Sequence, residues 1–167
     1  DTFNAAGGQA YSLAFNQGGE ITNATTLTNT NGVTFGDEVS DILTFHGGVT
    51  STASTTSTEG TIRSSGNAIV LGAVTLNDDT TLQSDLTSPA GAAITTGVIT
   101  GATNDLLIDA GTSGVVTLNT VANVGTLTIA DSGSTTVTNN STVTTVSVND
   151  TSNDVTFSGS LGATTVN

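Results

Sequence analysis

The chain has 167 residues and a single basic side chain, Arg63, against 14 acids, for a formal net charge of -13. Charged residues make up 9%, hydrophobic residues 35% and aromatics 4%, and there is no Cys, Met or Trp. This composition excludes disulfides, thiolate catalysis and Cys-ligated metals, offers no cationic patch to nucleic acid or anionic lipid, and withholds the large fillers of a compact core.

Residues 1–49 hold five of the six aromatics (Phe3, Tyr11, Phe15, Phe35 and Phe45) and the only histidine, His46. Short apolar/polar alternations at Tyr11–Phe15, Gly32–Phe35 and Ile42–Phe45 read as strands. The segment is expected to cap a stack of strands or to dock onto a neighbouring subunit, because open stacks need protected ends. Residues 50–60 follow as a polar, low-complexity stretch of Thr, Ser and Ala, expected as a loop or a weakly specified strand.

Residues 61–167 form a repeat region. Helical periodicity is missing, and triplets such as Val116-Thr-Leu118, Leu127-Thr-Ile129, Val146-Ser-Val148 and Val155-Thr-Phe157 recur about every ten residues, with Gly, Asn or Asp between them. A fixed short period implies stacking. The expected fold is all-β, a β-solenoid (parallel β-helix) of about five or more rungs, with two or three units per rung. Inward Val, Ile and Leu would then lie on like residues one strand spacing away, about 4.8 Å along the axis. A Thr-rich antiparallel β-sandwich is the alternative. It is less suited, because only Asn31-Gly32 supplies the two-residue loop that tight hairpins prefer.

The runs Gly72-Ala-Val-Thr-Leu-Asn-Asp-Asp-Thr-Thr-Leu-Gln-Ser84, Gly114-Val-Val-Thr-Leu-Asn119 and Val124-Gly-Thr-Leu-Thr-Ile-Ala-Asp-Ser-Gly133 resemble the degenerate strand repeats of filamentous-haemagglutinin-like and autotransporter-passenger proteins. The resemblance covers roughly 67–167 and lies in composition and rhythm. It implies a parallel β-helix and a bacterial surface or extracellular structural protein.

Little in the chain can do chemistry. A Ser-His-Asp triad could use only His46, and no Gly-x-Ser-x-Gly elbow is present. No enzymatic activity and no required cofactor are expected. Three acid-rich turns, Asp37-Glu38…Asp41, Asn77-Asp78-Asp79 and Asn104-Asp105…Asp109, could offer hard oxygens to calcium. Asp37, Glu38 and Asp41 come closest to a ligand set. Asn and Asp also cap turns through their own backbone, so both readings stand. Thr-x-Thr pairs at 26–28, 126–128, 136–138 and 142–144 would form a flat hydroxyl face only if they fell in register, and their uneven intervals favour simple strand propensity.

The expected role is an extracellular or cell-surface structural protein that self-assembles head to tail into a filament, sheath or layer, because head-to-tail contacts that do not close generate filaments. The alternative is an adhesin or carbohydrate-binding stalk that meets surface glycans through one loop region. Neither reading involves nucleic acid or membrane insertion.

Overall fold

The computed structural model describes residues 3, 5 and 7–167. The chain winds into a β-solenoid of about 8 turns, and every ladder between its strands is parallel. The first coil holds β1 (Leu13–Phe15), β2 (Gly19–Ile21) and β3 (Thr25–Leu27), and the second β4 (Val33–Phe35), β5 (Ile42–Phe45) and β6 (Val49–Ser51). In the third, β7 (Thr56–Ser64) bends around a corner to make two sides, and β8 (Ile69–Leu71) makes the last. The fourth repeats this with β9 (Val74–Gln83) and β10 (Ile94–Thr96). The fifth has β11 (Ile99–Thr100), β12 (Leu106–Asp109) and β13 (Val115–Leu118); the sixth has β14 (Val121–Ser132) and β15 (Ser134–Val137). The seventh has β16 (Ser141–Thr151) and β17 (Val155–Phe157), and β18 (Leu161–Gly162) with β19 (Thr165–Val166) begin an eighth. Each complete coil therefore has three sides.

The alternation seen in the sequence sets which residues face the tube. Along the third side one inward column runs Thr25, Val49, Ile69, Ile94, Val116, Thr135 and Val155, each paired with the next coil's residue. Strands with period-two patterning place alternate side chains on opposite faces, so every second residue is buried. Val116 and Ile129 are both fully buried.

Within residues 1–49, expected to cap the repeats or dock a partner, the strands from Leu13 to Val49 form two coils of the same stack. Their aromatics are core. Phe15, Phe35 and Phe45 pack ring on ring at 5.3 to 6.3 Å, and Phe3 meets Phe15 edge-on at 5.3 Å. The physical reason is that a ring can fill the tube where smaller side chains fill it elsewhere.

Residues 50–60, expected as a loop or a weakly specified strand, are strand in part. They carry the end of β6 and the start of β7, with Thr56 and Thr58 buried. These inward hydroxyls are satisfied in pairs: Ser51 Oγ with Thr56 Oγ1 at 3.0 Å, and Thr58 Oγ1 with Thr80 Oγ1 at 3.2 Å. A polar stretch can thus line the tube, since buried hydroxyls are tolerated once hydrogen-bonded.

The Thr residues also fall otherwise than their intervals suggest. Thr26, Thr50, Thr95, Thr117, Thr136 and Thr156 form one outward row on the third side, broken only by Val70. Corners of different length absorb the uneven spacing. The pairs Thr126/Thr128 and Thr142/Thr144 lie on other sides, so the row is assembled mainly from threonines outside the Thr-x-Thr pairs.

Candidate functional site

The corner between the first and second sides gathers acids from successive coils. Asp41 turns its carboxylate onto the backbone: Oδ2 accepts the N–H of Asp37 at 2.9 Å and of Glu38 at 3.1 Å. This is the capping geometry open to Asp in turns. Stacking brings Glu59 and Asp78 of the next coils against this run. Glu59's carboxyl is pushed above its ordinary value, first by burial, then by Asp78, Glu38, Asp37 and Asp41. Among the described residues no three acidic or histidine side chains converge as a metal-ligand set.

Asp79 and Asp105, from the other two acid-rich turns, clamp one coil to the next. Asp79 Oδ1 accepts the Asp105 N–H at 2.8 Å, and Asp105 Oδ1 accepts the Thr126 N–H at 2.6 Å. Asn104 adds a bond from Nδ2 to Leu76 O at 3.0 Å. A shallow groove of about 220 Å3 lies beside them, with Val39, Asp79, Asp105 and Leu107 in its wall.

A second acidic row runs along the second side. Asp109, Asp131 and Asp150 pair in register, with Asp85 close enough to act on the first two. Burial raises the Asp109 carboxyl most, and Asp85 and Asp131 add to it against a lowering hydrogen bond from Gly111. Burial likewise leads for Asp131, followed by Asp150 and Asp85, with the Ser132 N–H opposing. One oxygen of Asp109, Oδ1, is enclosed without a hydrogen-bond partner.

His46 bridges three coils. Its Nδ1 lies 2.8 Å from Ser65 Oγ and its Nε2 3.5 Å from Glu20 Oε2. The order Ser, His, carboxylate is present, but the carboxylate is at the limit of contact and belongs to a largely exposed Glu20. The arrangement ties adjacent corners together.

The distinctive corner lies farther along. Ala102, Thr103 and Asn123 have φ of +49°, +79° and +55°, and among the described residues they are the only non-glycine residues with positive φ. Ala102 and Thr103 are the centre of a turn closed by Asn104 N–H to Gly101 O at 2.8 Å. Positive φ at both central positions is the type I′ pattern, which favours Asn-Gly. Left-handed backbone costs an ordinary L-residue about 1–2 kcal/mol. Asn123 is the extra residue where the β14–β16 register shifts between Ala122 and Val124, a bulge in the left-handed region.

Neighbouring groups hold this corner in place. Thr103 N–H donates to Asn123 O at 2.6 Å, and Asn123 N–H donates to Thr142 Oγ1 at 2.9 Å. Gly101 lets the coils approach, since a Cβ there would stand 2.5 Å from Val124 Cγ2. Between the two bends opens a groove of about 260 Å3 walled by Thr103, Asn123, Val124, Thr142, Val143 and Thr144. Sequence reading missed it. The only trace was the polar Asn123 interrupting the apolar run Val121-Ala-Asn-Val124.

No protein family, curated protein or solved structure matches this chain.

Proposed function

We propose that the chain is a non-enzymatic structural element of an extracellular surface, a rod that stacks head to tail on further copies of itself into a filament, sheath or layer. One observation carries this reading. Parallel strand ladders join each coil to the next on all three sides of the solenoid, so every coil offers its strand edges to the coil after it. A parallel strand edge backed by apolar side chains is a template for a further coil, and a copy of the same chain can supply one. The charge of -13 opposes association, and salt or calcium would screen it.

Negative-stain microscopy and sedimentation of the purified chain, with calcium and with chelator, test the proposal. Ordered polymers, favoured by calcium or salt, are expected. Monodisperse rods at all concentrations and ionic strengths would end it.

The second reading, a binding stalk that meets surface glycans, draws support from the strained corner around Thr103 and Asn123, because backbone strain of this kind concentrates at binding sites.

A further inference from the structure

We propose that the groove between the bends at Thr103 and Asn123 is a binding site for a neutral saccharide, sized for one sugar ring. The inference rests on the binding-stalk reading and is independent of polymerisation.

Three features of the groove point the same way. Left-handed strain in non-glycine residues is confined, among the described residues, to this one corner. It comes from two adjacent coils that face the same groove. Solenoid closure alone does not call for it, because the chain turns most of its other corners with right-handed residues or glycine.

The lining sets the ligand class. Val124 and Val143 lie under the groove but are almost fully buried, so its exposed side-chain lining is Thr103, Asn123, Thr142 and Thr144, and no charged side chain lines it. An anion would find no cationic partner there and would meet a chain of charge -13. A cation would find no carboxylate. What remains on offer is hydroxyl and carboxamide. The Thr142 hydroxyl is occupied: it accepts Asn123 N–H at 2.9 Å and approaches Asn123 Oδ1 at 3.5 Å, which steadies the carboxamide. Asn123 Nδ2 and the hydroxyls of Thr103 and Thr144 have no protein partner among the described residues. An uncharged lining of hydroxyls and a carboxamide, able both to donate and to accept, matches the girdle of hydroxyls on a sugar ring. A volume of about 260 Å3 suits one ring of a longer chain.

The test is an amide chemical-shift titration of the isotope-labelled full chain. The probes are maltohexaose, cellohexaose and chitohexaose as neutral ligands and polygalacturonate as an anionic one. At least one neutral probe is expected to shift Thr103, Asn123, Thr142 and Thr144 selectively. Asn123→Gly keeps a residue suited to left-handed backbone while deleting the carboxamide, and Thr144→Val deletes one hydroxyl at constant shape. Each is expected to weaken that binding about tenfold or more with the melting temperature retained. Neutral-probe shifts elsewhere on the rod, or unchanged affinity in both variants, would overturn the inference and leave the stalk reading standing. No shift with any neutral probe would overturn both. Stronger groove shifts with polygalacturonate would overturn the assignment of a neutral ligand.

Discussion

Asp105 reaches across one coil to the next: its Oδ1 accepts the N–H of Thr126 at 2.6 Å, while its own N–H is held by Asp79 Oδ1 at 2.8 Å. Two side chains thus replace backbone partners at a corner where the strand ladder is interrupted. Bonds from a backbone N–H to a carboxylate are charge-assisted and stronger than neutral ones. Asp105→Ala is expected to cost about 1–2 kcal/mol, and Asp105→Asn, which keeps an acceptor, less than half of that. Urea melts followed by circular dichroism measure both. Equal losses in the two variants would show that the clamp does not act through its hydrogen bond.

Carboxyl crowding sets an expected dependence on pH. Glu59, Asp109 and Asp131 all titrate above their ordinary values of 4.5, 3.8 and 3.8 in the folded chain. In the window between each ordinary value and the raised one, the folded state binds more protons than the unfolded state. Stability therefore falls as pH rises through that window, and the loss is complete above the raised values. The rod should melt at a higher temperature near about pH 5 than near about pH 8. Asp109→Asn combined with Asp131→Asn should flatten that difference and raise the melting temperature at the higher pH. A melting temperature that rises toward alkaline pH would refute the crowding account.

The inward columns make a sharper demand. Val116 and Ile129 are fully buried and stacked on Ile94 and Thr135, and on Ile108 and Val148, respectively. Val116→Asp or Ile129→Asp places an unpaired charge among fully buried apolar side chains, at a cost of several kcal/mol. Loss of the folded β signal at room temperature is expected for both. Thr117→Asp, one residue away on the outward row, should remain folded. Melts that rank Thr117→Asp as the more damaging change would show that the faces are reversed.

Local patterning determined the element type and the manner of their stacking. Period-two alternation, β-branched residues and turn formers at short intervals allow little but strands, and one of their two faces must be buried. That much is written into segments such as Val116-Thr-Leu118 and needs no distant partner. Tertiary structure alone decided which strands share a side, because side membership depends on corner lengths, and these vary from the abrupt bend within β7 to the long link between β9 and β10. Hence the aromatic coils and the Thr56–Thr58 strand joined the stack, Glu59 and Asp78 met the acids at Asp37–Asp41, and Thr50 came to lie beside Thr26. The groove at Thr103 and Asn123 belongs to the same class. It exists because a bulge and a reversed turn on adjacent coils coincide, and coincidence across coils is set by register, which no single stretch of chain contains.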